Sequence, residues 1–124
     1  MNFLLLVMAG GAIGTGLRYL VGRAALTALG PDWPWGTLTV NLVGGLAMGV
    51  LAGMLARATD GELWRLFLGV GLLGGFTTFS AFSLDAMLMI ERGELAGMVA
   101  YVALSAVGSI AALGVGLGLT RVLA

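Results

Sequence analysis

The sequence predicts an all-α membrane protein: a single domain over residues 1–124, with four transmembrane helices and a break in the third. Three observations carry this. The chain is 60% hydrophobic and 10% charged, with a mean hydropathy of +1.07, whereas soluble domains carry about 25% charged residues. The six arginines and six acids fall mostly at the edges of long apolar runs, as immersion in lipid requires. Glycine supplies 22 of 124 residues, against a typical share of about 7%; with no Gly-X-Y period, this reads as helices packed very closely. The same composition excludes much else. Zero net charge leaves no positive field to attract nucleic acid. The lack of His and Cys removes the usual metal ligands, disulfides and thiol nucleophiles.

A helix needs roughly 20 residues to cross a hydrocarbon core about 30 Å thick. Phe3 to Leu17 is apolar and continues past Arg18 and Arg23, which predicts a first helix over 3–29. Trp33 to Ala56 predicts a second over 35–56. The run Leu66 to Leu84 falls just short but extends past Asp85, giving a third over 64–90. Leu95 to Thr120 predicts the fourth, over 95–121. Gly30-Pro31-Asp32-Trp33-Pro34 is a turn whose Pro34 can open the next helix. Trp33, Trp35 and Trp64 all stand at span ends, as an aromatic belt predicts. No basic residue precedes Phe3 and no A-x-A-like cleavage site stands out, so no signal peptide is expected. The loops are too short to fold as soluble domains.

Counting arginines by side gives no orientation. Arg57, Arg65 and Arg121 share one side, while Arg23, Arg92 and the inward-lying Arg18 lean to the other. A chain without bias can insert both ways, which predicts dual topology and an antiparallel homodimer; the alternative is a weak bias resolved by a partner or an insertase. Gly45, Gly49 and Gly53 recur every four residues, as do Gly10 and Gly14, Gly71 and Gly75, and Gly114 and Gly118. Small residues at this spacing let backbones meet, within a protomer or between two.

Polar groups at membrane depth are expensive and mark function. Asn41 lies mid-span, one turn after Thr37 on the same face. Tyr101, Ser105 and Ser109 follow i, i+4, i+8 and draw one stripe along the fourth helix. The stripe either lines a pathway or makes helix–helix hydrogen bonds. In Gly74-Gly75-Phe76-Thr77-Thr78-Phe79-Ser80-Ala81-Phe82-Ser83, adjacent glycines precede paired β-branched threonines, poor helix material. A break there frees carbonyls that must be bound by something, and a cation is one solution. Phe79 and Phe82 share a face, and the positive edge of a Phe ring can meet an anion; spacing alone favours ordinary lipid-facing or packing aromatics, Phe76 included. Arg18, about four turns into the first helix, is expected to snorkel, pair with an acid or line a wet vestibule. Asp85 reads as an end-of-helix salt bridge.

Taken in order, these motifs resemble the CrcB or Fluc family of fluoride channels. The resemblance runs through Gly11-Ala12-Ile13-Gly14 with Arg18-Tyr19, Gly36-Thr37-Leu38 with Val40-Asn41 and Gly44, and the string Gly74 to Ser80, together with the Tyr101, Ser105 and Ser109 ladder. It implies an antiparallel homodimer, multi-pass in the inner (plasma) membrane, with two fluoride pores along the subunit interface. It also implies a structural, untransported Na⁺ at the dimer centre, held by the main-chain carbonyls of Gly74 and Thr77 from each subunit. Asn41, Phe79 and Phe82 match anion-contacting positions; Tyr101, Ser105 and Ser109 carry the track onward, with Ser80 and Thr37 beside it and Arg18 at a vestibule. One position departs, since Ala81 stands where many relatives carry Thr, leaving Ser80 and Ser83 as nearby hydroxyls. The resemblance implies passive export of fluoride, which lowers its cytoplasmic level.

Two rivals and an enzyme reading fit less well. A proton-coupled small multidrug exporter needs a deep titratable acid, absent from the first helix. A non-conducting scaffold subunit explains the glycines but not Asn41 or the stripe. Intramembrane proteases need a Ser with His, paired aspartates or zinc ligands, and there is no His.

Overall fold

The computed structural model describes residues 2–123, and these are helical almost throughout. Helix α1 spans Phe3–Leu29, α2 Trp35–Leu55, α3 residues 62–76, α4 Ser80–Glu91 and α5 Leu95–Val122. Taken with α3 and α4 as one span, Glu62–Glu91, the four segments are each long and apolar enough to cross a membrane. The chain is therefore a multi-pass membrane protein.

Local chemistry sets the ends. Asn2 caps α1, its Oδ1 accepting from the Leu4 and Leu5 amides at 3.0 and 3.4 Å. Gly30 stops it with φ 81°, a conformation that costs a side chain and is free to glycine. Pro34, with no amide hydrogen to lose, precedes α2. Gly93 at φ 79° ends α4; the Glu94 amide reaches back to the Met89 carbonyl at 2.9 Å, a Schellman closure. At the far end of α5 the Arg57 guanidinium donates to the Thr120 carbonyl, where the helix dipole is negative.

The third span is less regular than the sequence predicts. Within α3, Arg65–Leu73 is wound as π-helix between short α-helical pieces, Glu62–Trp64 and Gly74–Phe76. The Gly74 amide accordingly bonds to Gly69, five residues back. Such winding recurs at functional sites. Helix α3 stops at Phe76, Thr77 is extended at φ −85°, ψ 160°, and α4 begins at Ser80.

Glycine, rather than large side chains, brings the spans together. A β-carbon at Gly71 would stand 2.7 Å from the Val7 carbonyl, and one at Gly75 2.7 Å from that of Gly11, so α1 and α3 touch backbone to backbone. Gly10 and Gly14 complete this seam from the α1 side. Gly45 and Gly49 meet the carbonyls of Ser109 and Leu113, while Gly116 meets that of Leu46, which makes a second seam between α2 and α5. Gly53 meets the Thr120 side chain instead. Gly114 and Gly118 meet nothing within 4 Å and point away from the protomer. What conventional core exists is small: Leu38, Met89 and Tyr101 are buried together, flanked by Trp33 and Phe82.

Candidate functional site

A cleft of about 450 Å³ opens on one flank of the protomer. Asn41 from α2, Thr77 and Phe79 from the interrupted segment, Phe82 from α4, and Ser105 and Ser109 from α5 all line it. The structure thus gathers most of the sequence-nominated residues into one place. The third-span interruption makes this possible, because it turns Phe79 out of α3 and re-aims α4 so that Phe82 follows on the same side. Phe79 is 78% exposed. Its centroid lies 5.6 Å from that of Phe82.

The rings continue inward. Phe82 stands 5.2 Å from Tyr101, Tyr101 5.5 Å from Trp33, and Trp33 4.7 Å from Trp35, centroid to centroid. Tyr101 is wholly buried; a second cavity of about 380 Å³ is lined by Thr37, Asp85, Trp33, Met89 and Arg92 among others. The Tyr101 hydroxyl donates to Asp85 Oδ2 at 3.0 Å. Here the sequence expectation for Asp85 is corrected. No ion pair to Asp85 is formed among the described residues; it accepts from the tyrosine sixteen residues on, because α4 turns that face towards α5. The signal available in sequence was only a lone acid inside an apolar helix, which names no partner.

Ser105 is 5% exposed, and both its Oγ and that of Ser109 are buried without a hydrogen-bond partner among the described residues. Buried hydroxyls left unpaired are uncommon and costly, and ask for a ligand, a water or a neighbouring molecule. Ser80 is exposed at the start of α4. Ser83, expected beside Ala81 as a spare hydroxyl, is committed elsewhere: its Oγ donates to the Phe79 carbonyl at 2.9 Å. Ala81 itself lines a third cavity, of about 450 Å³, on the α1 side with Thr37, Thr78 and Arg18. Its amide is taken up by Thr78 Oγ1 at 3.2 Å, the way a threonine caps a helix start.

Asn41 and Arg18 end on backbone. Asn41 Nδ2 donates to the Thr78 carbonyl at 3.0 Å, and the Thr78 amide donates to Asn41 Oδ1 at 2.9 Å. Arg18 Nε donates to the Gly75 carbonyl at 3.0 Å. Of the expected alternatives, an acid partner is not formed among the described residues; the bond goes to a carbonyl, within reach because Gly75 has no side chain in the α1 seam. Nothing in the sequence linked Asn41 to Thr78, 37 residues away.

Gly74 and Thr77, nominated as cation ligands, lie on either side of the helix end. Neither carbonyl accepts a backbone hydrogen bond among the described residues, since the Thr78 amide goes to Asn41 and the Ala81 amide to Thr78 Oγ1. A free carbonyl pair suits a hard alkali cation. No group of three or more His, Cys, Asp or Glu side chains gathers among the described residues. Any ion here would rest on main-chain oxygen.

The fold and the cleft define a multi-pass helical membrane protein whose polar donors converge at membrane depth on one flank. The chain belongs to the CrcB family: the family model described as "CrcB-like protein, Camphor Resistance (CrcB)" matches residues 5–117. Among its relatives, the "Fluoride-specific ion channel FluC" of Sphingopyxis alaskensis is 56% identical over 98% of this chain and 97% of its own length. The protein of that name from Caulobacter vibrioides is 54% identical over 98% and 97%. The one from Mesorhizobium japonicum is 48% identical over 95% of each. All three are similar to this chain along nearly its whole length, and by name they are channels, not enzymes.

Proposed function

We propose that the chain is one subunit of a fluoride-selective channel in the plasma membrane that lets fluoride leave the cell passively. Two copies run antiparallel, and a structural Na⁺ sits between them. The observation that carries this reading is the pair of unpartnered hydroxyls, Ser105 and Ser109, in a cleft walled by Phe79 and Phe82. Fluoride is small and strongly hydrated, so a path that conducts it must replace its water with donors one at a time. Hydroxyl groups and ring edges do this without a fixed cation in the cleft, whose full charge would hold the anion too firmly to release. None of the residues lining the cleft is charged.

The cleft is open on one side, and a second copy would supply the missing wall. A near-even distribution of arginines favours neither orientation in the membrane, which supports the antiparallel arrangement. Gly74 and Thr77 would hold the Na⁺ by their carbonyls, two from each subunit. When bound, that ion supplies a constant positive charge near the pathway. No carboxylate lines the Phe79 cleft, so no proton carrier is at hand to drive uphill movement.

Proteoliposomes loaded with fluoride or chloride test the reading. With a potassium ionophore dissipating the voltage, fluoride is expected to leave and chloride to stay. Equal efflux of both halides refutes selectivity, and retention of both refutes the channel.

A further inference from the structure

Asn41 and Arg18, both nominated from sequence for contact with anions, are already engaged with the chain itself. Thr77 is extended, so the Thr78 peptide leaves the helical ladder and its amide is turned from the carbonyl four residues back. Both of its polar groups then need partners at membrane depth, where there is little water to supply them. The Asn41 carboxamide supplies both, one donor and one acceptor, in the pairing by which two strands exchange hydrogen bonds. The amide orientation follows from this: swapping oxygen and nitrogen would set acceptor against acceptor and donor against donor. Three residues earlier, Arg18 takes the Gly75 carbonyl. These two side chains thus satisfy the Gly75 and Thr78 carbonyls, while those of Gly74 and Thr77 accept no hydrogen bond among the described residues.

We propose that Asn41 and Arg18 are positioning residues. Asn41 serves as a stand-in peptide group that fixes the Thr77–Thr78 step, and Arg18 pins Gly75, which holds the segment in the form that leaves the Gly74 and Thr77 carbonyls free. The inference rests on the proposed channel for its purpose, while its geometry stands apart from it. It narrows what Asn41 can offer an anion to the one Nδ2 proton not spent on Thr78. The remaining guanidinium donors of Arg18 make no hydrogen bond within the described chain and are left to the cavity between α1 and α2.

Amide hydrogen exchange and carbonyl ¹³C shifts, read by NMR on the full-length labelled protein in lipid nanodiscs without fluoride, test this. In the unaltered protein the Thr78 amide should exchange about tenfold more slowly than that of the adjacent Phe79, which has no partner among the described residues. Asn41→Ala should remove the difference while amides in α5 stay protected. Asn41→Asp, read at a pH where the carboxylate is ionised, keeps an acceptor but no donor, so Thr78 should stay protected while its carbonyl carbon shifts upfield. Arg18→Ala should shift the Gly75 carbonyl carbon upfield and leave Thr78 alone. The proposal is overturned if Thr78 exchanges as fast as Phe79 in the unaltered protein, or if the Asn41 substitutions leave the Thr78 amide and carbonyl unmoved. Should Asn41→Ala fail to fold, the Asn41→Asp carbonyl shift decides. Fluoride plays no part in these readings, so a failed efflux assay and a failed exchange experiment are separate results.

Discussion

Phe79→Ile lowers fluoride efflux from reconstituted vesicles by about a hundredfold, a barrier increase of ~3 kcal/mol, while the protein stays folded. Phe79 is 78% exposed, its ring centroid 5.6 Å from that of Phe82, so the shorter side chain removes little internal contact. What it removes is the electropositive edge in a cleft that holds no charged side chain. An anion stripped of water there meets methyl groups instead, and forgoing one charge-assisted contact costs roughly 1.5–3 kcal/mol. Efflux rates with size-exclusion profiles of the same preparations check this. An unchanged rate in a well-folded variant moves the pathway away from Phe79.

The second large effect concerns assembly. Gly14→Ala destabilises the protein by about 3 kcal/mol or more, whereas Gly16→Ala, two residues along the same helix, leaves it nearly unchanged. The added carbon at Gly14 would overlap the Leu72 carbonyl and lie 2.9 Å from the Phe76 amide nitrogen, both backbone and neither free to move aside. At Gly16 nothing lies within 4 Å. Thermal unfolding in detergent, comparing the two variants side by side, reads the difference. Equal melting temperatures would mean that α1 and α3 do not touch through backbone.

Sequence reasoning reached the four spans because lipid imposes a length and an apolarity that any helix must meet. It reached Ser105 and Ser109 because both lie on a regular spacing along one helix, and Phe79 and Phe82 through the resemblance of the Gly74 to Ser80 string, since their spacing alone reads as packing. It could not reach what those spacings do not encode. The π winding of Arg65–Leu73 follows no residue pattern that sequence reasoning reads. The Asn41–Thr78, Arg18–Gly75 and Tyr101–Asp85 bonds each join different helices, and a polar residue within an apolar run names its own cost without naming its partner. The glycine repeats were legible as close packing, but Gly114–Gly118 and Gly10–Gly14 look alike in sequence, and only one pair is covered within the protomer.

The two glycine seams have a mechanical consequence. Where main chain lies on main chain, no rotamer exists to swing, so α1 with α3, and α2 with α5, form two stiff plates. Helix α4 has no such seam; it leans on α5 through Met89 and through the Phe82 and Asp85 contacts with Tyr101, and its start is held by the strap at Thr78. Compliance in this small molecule therefore concentrates in the one element that carries Phe82, leaving the walls around it rigid.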